Sequence, residues 1–400
     1  MRLWTNKQDL FFELLLVCTG AKDVLSRTYS EAEWNDALEI AQEQAIEGVL
    51  LSAIESLPDE QRPPKFVLLQ WIGSVQMVEA NSKKIAEASE AVIRYFHENG
   101  FACNILKGCA VARYYPQPER RQSGDVDVWV DCGREKIYDF ARKFDKDGKL
   151  YGVNYHHIHF HLIDDIHIEV HIWPSFLSSP LRNWRLHKFC NLHRPSMESS
   201  MPSLAFDRVF ILLHCYRHIC GHGVGLRQIM DYYYVLRTVQ DCPSDESAHA
   251  RENSSILGSP LAQSQTSKFL DEPSGKAERK VKDNAETVRW IKKLGMERFA
   301  RGLMWVQKEY FGLEDKYLLF EPDEKEGRFI MQEVMLTGNM GHGDTRNWGS
   351  KRTALSRFFL NLKRDVYLAK HYPHEAIWQP FFSIWLYLWR LSKGLLKDRE

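Results

Sequence analysis

The sequence predicts an α+β protein, in which a small mixed sheet with its own helices lies between helical N- and C-terminal regions. Residues 1–97 have the pattern of helices, and an apolar stripe at helical spacing closes this region: Ile85, Ala88, Val92 and Phe96. Between residues 101 and 173 the pattern changes to short segments in the order strand, helix, strand, helix, strand, strand. That order indicates a small mixed sheet and disfavours a long parallel βαβ series.

The elements of the central region are bounded by recognisable stop signals. Asn99-Gly100 ends the N-terminal helical region, and Pro116 and Gly148 end the two helices between the strands. The predicted strands are ACNIL (102–106), VDVWV (126–130), YHHIHFHLI (155–163) and IHIEVHI (166–172). Helical periodicity returns after Pro174, in LAFDRVFILLHCYRHIC (204–220), LRQIMDYYYVLRTV (226–239) and the segment 286–313.

These changes of pattern divide the chain into three units. We expect a helical N-terminal region at 1–97, a central core at 98–185 and a helical C-terminal region at 186–400. Residues 241 to about 284 contain few aromatic residues and much Ser, Glu, Lys and Pro, a composition that supplies little to a hydrophobic core. We therefore predict a mobile insertion within the C-terminal region.

The net charge and the cysteine pattern indicate which partners and which redox environment the protein has. The formal net charge of the 400 residues is zero, which disfavours a broad electrostatic contact with nucleic acid and leaves room only for a local basic groove. The eight cysteines form no CxxC pair, so they fit reduced thiols in a cytoplasm better than a disulfide framework or a zinc site.

Two apolar segments near the ends of the chain are candidates for contact with a membrane. The N-terminal segment contains Asp9 and Glu13 and lacks a cleavage signal, so we predict an amphipathic helix and not a signal peptide. The segment 376–397 is interrupted by polar residues and Pro380, so its uninterrupted apolar stretch is shorter than a transmembrane helix requires. It is either a terminal helix packed on the core or a helix that lies on a membrane surface.

Two aspartates open the second predicted strand, in the segment SGDVDVWV (123–130). Asp125 and Asp127 are two residues apart, so in a strand both side chains point to the same side. Two carboxylates this close repel each other, and one pKa rises unless a cation lies between them. A hard divalent cation held by carboxylate oxygens removes the repulsion. The alternative is a carboxylate pair at a strand start, with one member capping a turn.

Positive charge and flexible turns are predicted at the same edge of the sheet. Lys107-Gly108 follows the first strand, and Arg120-Arg121 and Ser123-Gly124 precede the second. A turn with glycine allows backbone N–H groups to approach a phosphate closely. These neighbours favour the cation-binding interpretation of the aspartates.

The last two strands form a hairpin rich in histidine. A two-residue turn would pair Phe160 with Glu169 and mix polar and apolar faces, whereas an odd loop or a bulge keeps the faces separate. We predict the second arrangement, which collects six polar residues on one face: His157, His159, His161, His167, Glu169 and His171. Three interpretations are open: these residues line a solvated face of the sheet, they form a zinc site of His and Glu, or one or two histidines contact phosphate or substrate. For the third interpretation, His159 and His171 are the candidates, because they are nearest to Glu169.

At this point the motifs resemble a known superfamily. LKG (106–108), a helix with a Tyr-Pro end, R-x-S-G-D-V-D-V-W-V (121–130) and I-E-V-H (168–171) resemble the polymerase-beta-like nucleotidyltransferases. More narrowly, the chain is similar to a bacterial group labelled uncharacterised nucleotidyltransferase family proteins, and the similarity includes RQIMDYYYVL and LGMERF in the helical region. One departure is Gly108-Cys109, where the superfamily has Gly-Ser or Gly-Gly.

The resemblance implies an active site and a reaction. Three carboxylates, those of Asp125, Asp127 and Glu169, are implied as catalytic and metal-binding residues for two Mg²⁺ (or Mn²⁺) ions, with Asp164 or Asp165 as the alternative third acid. The implied nucleotide-binding residues are Lys107, Gly108, Arg121, Ser123 and Gly124. An acceptor hydroxyl would attack the α-phosphate of an NTP such as ATP, and pyrophosphate would leave.

Several functional alternatives stay open at the level of sequence. The leading hypothesis is a cytoplasmic bacterial nucleotidyltransferase whose acceptor is a small molecule, a polyol, a protein side chain or an RNA end. The second is a catalytically inactive nucleotide- or partner-binding protein on the same fold, and the third is a hydrolase with a His-Glu metal site. In the helical region, Arg227 and Asp231 either form an i,i+4 ion pair or place their helix beside the nucleotide cleft.

Overall fold

The central sheet has four strands and mixed direction, which confirms the predicted α+β class. The structure is a computed structural model that describes residues 8–144, 150–163, 165–221, 223–238, 274–339, 346 and 354–395. The strands are β1 (Cys103–Leu106), β2 (Val126–Val130), β3 (His157–Phe160) and β4 (Ile168–His171). Their spatial order is β1-β2-β4-β3, with β2 and β4 parallel and the outer pairs antiparallel.

The hairpin adopts the predicted register. His157 lies opposite His171, Ile158 opposite Val170 and Phe160 opposite Ile168, so apolar residues of both strands share one face. That face, together with Val126, Val128 and Val130, packs on the second half of a long helix. The opposite face carries Asp127, Glu169 and the histidines of β3 and β4. The separation of faces follows because a shift by one residue would expose every apolar side chain of the strand.

Helices precede the sheet, as predicted. They are α1 (Asp9–Cys18), α2 (Glu31–Glu43), α3 (Glu47–Ser56) and α4 (Lys65–Glu98). Helix α2 begins at a capping box, in which Ser30 accepts from the Glu33 N–H and the Glu33 side chain accepts from the Ser30 N–H. The predicted apolar stripe of α4 is buried, and α4 supports the sheet through it.

Helices also lie between and after the strands. Within the sheet region they are α5 (Gly108–Ala112) and α6 (Arg134–Phe144). The remaining helices are α7 (Pro180–Leu192), α8 (Leu204–Cys220), α9 (Leu226–Arg237), α10 (Ser274–Leu294), α11 (Glu297–Phe311), α12 (Glu324–Thr337), α13 (Ala354–Leu368) and α14 (Pro373–Ser392). The predicted insertion at 241–284 lies mostly outside the described residues, and its part from Ser274 onward belongs to α10.

Two hydrophobic cores hold these elements together. The smaller core lies between α4, α6 and the apolar face of the sheet. The larger core is shared by α1–α3, the first half of α4 and α7–α12, and it reaches the other face of the sheet through Trp129, which stacks on Phe206 with ring centroids 5.5 Å apart. The polar face of the sheet therefore opens toward the helices that follow it in the chain.

The close approach of α3 to the Arg120 segment depends on a glycine. A Cβ atom at Gly48 would collide with the Arg120 carbonyl oxygen, whereas a Cβ atom at Gly73, on the exposed side of α4, would meet nothing within 4 Å. We expect Gly48→Ala to destabilise the protein by about 1–3 kcal/mol, since the backbone must move apart. The matched change Gly73→Ala should stabilise it by about 0.5–1 kcal/mol, because alanine loses less conformational entropy in a helix. Urea unfolding of both variants checks the pair, and equal effects would contradict the expectation.

The last described helix leaves most of its apolar side chains in solvent. In α14 only Glu375 and Ala376 are fully buried, whereas Ile377, Phe381 and Leu388 are more than half exposed. Phe382 and Trp385 contact Tyr155, so one side of α14 packs against the loop before β3. Over the described part of the chain, every helix is either too short or too polar to cross a bilayer.

Candidate active site

The polar face of the sheet borders a cavity of about 810 Å³. Side chains of β2 and β4 and the turn after β1 form one wall, and helices α8, α9, α13 and α14 form the others. Most of the residues predicted for the site line this cavity: Lys107, Gly108, Arg121, Gly124, Asp125, Asp127 and Glu169. Ser123 is buried behind the lining, where its hydroxyl accepts from the Arg121 guanidinium.

Asp127 is the most enclosed carboxylate of the site, with 2% of its surface exposed. Its Oδ1 lies 2.9 Å from Lys107 Nζ and 2.7 Å from His171 Nε2. Burial alone would raise the pKa of Asp127, but the charge of Lys107 and the hydrogen bond from His171 outweigh it and hold the pKa below its usual value. Asp127 is therefore an anion at neutral pH.

Asp125 is in the opposite situation. It directly precedes β2, lines the same cavity as Asp127, and forms no hydrogen bond or ion pair with any residue that the structure describes. Repulsion by Asp127, together with burial, raises the pKa of Asp125 above its ordinary value. A carboxylate without a partner beside a second carboxylate is the arrangement that the sequence predicted for a cation site.

Glu169 meets the two aspartates through strand pairing. The parallel register of β2 and β4 places Asp127 directly opposite Glu169. Burial would raise the pKa of Glu169, but the hydrogen bond with His171 and the neighbouring histidines lower it strongly. Asp165, the alternative third acid, is exposed in the hairpin turn, and Asp164 lies outside the described residues.

His171 holds the two acids in place. Its ring is fully buried, and Nε2 lies 2.7 Å from Asp127 and 3.4 Å from Glu169. Burial would lower the pKa of His171, but these two contacts raise it above its ordinary value. The His171 ring therefore connects the two carboxylates through a single nitrogen, Nε2.

The turn after β1 brings a lysine to the acids. Lys107 adopts a φ of 47°, which is rare for a residue with a side chain, and Gly108 follows with a φ of 26°. Despite burial, the charges of Asp127, Glu169 and Asp125 raise the pKa of Lys107. The strained backbone is compatible with a turn that aims the ammonium group into the cavity.

Arg121 was predicted to bind phosphate, but in the structure it is paired with a carboxylate, that of Asp231. Its Nε lies 2.7 Å from Asp231 Oδ1 and its Nη2 lies 2.8 Å from Oδ2, a two-point contact in which both residues are buried. Tyr115 donates a further hydrogen bond to Asp231. The guanidinium charge of Arg121 is therefore already matched. Of the two alternatives for Arg227 and Asp231, the i,i+4 ion pair does not form, because Asp231 pairs with Arg121.

Arg227 also lines the cavity, so α9 borders it, which agrees with the second alternative that the sequence left open for Arg227 and Asp231. It is partly buried on α9, donates to the Gln122 carbonyl at 2.7 Å, and forms no ion pair within the described part of the chain. Burial and Arg121 lower its pKa, and its Nε has no hydrogen-bond partner. The signal in the sequence was its position in RQIMD, but sequence alone could not show which arginine Asp231 would neutralise.

The helices after the sheet supply the rest of the lining. Helix α8 contributes His214, Arg217 and His218, α13 contributes Asn361, Arg364 and Asp365, and α14 contributes Gln379 and Ser383. Arg217 lies over the Phe176 ring and donates to Glu375 at 2.8 Å. This wall is rich in groups that recognise hydroxyl and anionic groups of a ligand.

Carboxylate oxygens are the ligands that a hard divalent cation prefers, and Asp125, Asp127 and Glu169 all line the cavity. Among the groups of described residues whose ligand atoms lie within 4.8 Å of one another, none includes Asp125. Asp127, Glu169 and His171 also offer one atom each within 4.8 Å of one another. These three carboxylates are the ones that would hold such an ion, and Lys107 and His171 already contact Asp127 Oδ1.

Comparison with known proteins bears on what this site does. Residues 30–264 match the model of a family described as Uncharacterised nucleotidyltransferase, which is more than half of the chain and includes the whole sheet. No curated protein and no solved structure matches the chain significantly. The chain belongs to this nucleotidyltransferase family, and its general activity is nucleotidyl transfer.

Proposed function

We propose that the protein is a metal-dependent nucleotidyltransferase that moves NMP from an NTP to a hydroxyl acceptor and releases pyrophosphate. The observation that carries the proposal is the strand register that places Asp127 opposite Glu169, with Asp125 on the same side and all three on one cavity. We assign Mg²⁺ (or Mn²⁺) as the cofactor and ATP as the first NTP to test. Bound metal supplies charge neutralisation at the phosphates and lowers the pKa of the attacking hydroxyl.

The protein side chains would neutralise the phosphates and bind the metal. Lys107 and Arg227 are the cations placed to neutralise the phosphates, and Arg227 takes the role that the sequence assigned to Arg121. Gly108 and Gly124 leave the backbone accessible at the cavity, since a Cβ at Gly124 would meet nothing within 4 Å. Asp127 is ionised, and a bound cation would relieve the repulsion by Asp127 that raises the pKa of Asp125.

The acceptor would approach along the wall formed by α8, α13 and α14. Arg217, His218 and Arg364 there can bind a small hydroxyl compound, a protein side chain or an RNA end. Seven cysteines in the described residues are free thiols, which supports a reducing compartment such as a bacterial cytoplasm.

Calorimetric titration of ATP into metal-free protein, with and without Mg²⁺, tests the proposal. We expect binding by the wild type only with Mg²⁺, and at least ~10-fold weaker binding by Asp125→Asn, because a ligand of the cation is removed. Asp131→Asn is the matched control, since Asp131 ends the same strand, pairs with Arg194 at 2.6 Å and lies away from the cavity lining. Binding of ATP that needs neither Mg²⁺ nor Asp125 would favour the alternative, a catalytically inactive nucleotide-binding protein.

A further inference from the structure

We propose that His157, His159 and Glu169 form a second metal site, of the type that takes Zn²⁺ or a similar divalent transition metal. The site goes beyond the proposed magnesium site, with which it shares only Glu169. His157 and His159 lie on the edge strand β3, and Glu169 lies on its neighbour β4. A metal ion held by these side chains would link the edge strand to the rest of the sheet.

The distances match the spacing of tetrahedral ligands. His157 Nδ1 lies 3.1 Å from Glu169 Oε2, and His159 Nε2 lies 3.9 Å from Glu169 Oε1. Two ligands of a tetrahedral zinc ion, each about 2.0–2.1 Å from the metal, are separated by roughly 3.3 Å. All three ligand atoms lie within 4.8 Å of one another, so small side-chain rotations bring them onto one ion.

The ligand atoms of this group are available. His157 Nδ1 is buried and has no hydrogen-bond partner, although it faces Glu169. The three side chains are partly shielded, with 12%, 29% and 18% of their surface exposed for His157, His159 and Glu169. His167 Nε2 lies 3.6 Å from Glu169 Oε1 and is half exposed, but it is outside the group whose ligand atoms lie within 4.8 Å of one another.

The backbone around His159 is shaped to hold its ring. The His159 N–H donates to the Tyr151 carbonyl at 3.0 Å, which fixes the strand residue. A Cβ atom at Gly152 would overlap the imidazole, and Gly152 has a φ of +52°, so the ring rests against bare backbone. Two imidazoles and one carboxylate are the protein ligands of many zinc centres, whereas Mg²⁺ prefers oxygen ligands throughout.

Metal titration of chelator-treated protein tests the site without reference to activity. We expect the wild type to bind one Co²⁺ with the visible absorption of a four-coordinate ion, and Zn²⁺ to displace it. His159→Ala should weaken binding by at least ~10-fold, because one of three protein ligands is lost. His161→Ala is the matched control, since His161 lies two residues further along the same segment, is exposed and is outside the group. Gly152→Ala should also weaken binding by displacing the His159 ring.

Two variants separate this site from the proposed nucleotide site. Asp125→Asn should keep the wild-type affinity for Zn²⁺ while losing Mg²⁺-dependent ATP binding, and His159→Ala should show the reverse. Wild-type protein that binds no Co²⁺ or Zn²⁺ at stoichiometric concentration would overturn the zinc site and leave the nucleotide result untouched. Equal zinc affinities of His159→Ala and His161→Ala would overturn the ligand assignment.

Discussion

Asp125→Asn should abolish Mg²⁺-dependent ATP binding and nucleotidyl transfer and, in the metal-free protein at pH 7, raise the free energy of unfolding. The stabilisation is expected because repulsion by Asp127 and Glu169, together with burial, outweighs the attraction of Lys107 and Arg227 and raises the pKa of Asp125. Asparagine has nearly the same shape but no charge to repel. A site that binds a cation keeps this repulsion at the expense of stability.

The pH dependence of the same effect has a definite sign. Because folding raises the pKa of Asp125, the folded protein binds the proton more tightly than the unfolded chain. The stability that this proton brings is fully present below the unfolded pKa and is lost as the pH rises through the folded value. Unfolding of wild type and Asp125→Asn in EDTA should therefore give curves that meet at acid pH and separate above it. Curves that stay parallel would contradict the assigned repulsion.

Asp127→Asn provides the opposing variant at the same site. Asparagine keeps an oxygen at this position but removes the negative charge that Lys107 and His171 contact, and both of these groups are largely buried. Breaking a buried charge pair typically costs about 3–5 kcal/mol. We expect loss of ATP binding in both variants, but stabilisation by Asp125→Asn and destabilisation by Asp127→Asn. Destabilisation by both would show that Asp125 has a stabilising partner.

Asp231→Ala should destabilise the protein by about 3–5 kcal/mol, because it leaves the buried Arg121 charge uncompensated. The loss also includes the hydrogen bond from Tyr115. Chemical denaturation at neutral pH measures the effect. Asp315→Ala is the control, since Asp315 forms an exposed pair with Lys308 at 2.7 Å and its loss should change stability by less than about 1 kcal/mol.

A double variant tells whether charge or shape causes this loss. Replacing Arg121 and Asp231 together by Met and Leu removes both charges and keeps apolar volume, so it should recover much of the stability lost in Asp231→Ala. The same double variant should still bind ATP if Arg227, and not Arg121, contacts the phosphates. Loss of ATP binding in a double variant as stable as the wild type would return the phosphate role to Arg121.

The sheet elements and the hairpin faces could be predicted from the sequence because they depend on local pattern. Alternation of apolar and polar residues in β3 and β4 determined which side chains face the core, and the register followed from keeping Ile158 and Phe160 with Ile168 and Val170. The two-residue spacing of Asp125 and Asp127 placed both on one side of β2. These inferences need only the period of a strand and the cost of exposing apolar surface.

The partners of the charged groups could not be predicted, because they come together from distant parts of the chain. Arg121 and Arg227 are alike in the sequence, and only packing of α9 against the segment before β2 decides that Asp231 neutralises the first. The contacts of Lys107 and His171 with Asp127 depend in the same way on the order of strands β1-β2-β4-β3. A charge in a low-dielectric interior is stable only beside an opposite charge. Which opposite charge lies beside it depends on distances in the tertiary structure and not on residue type.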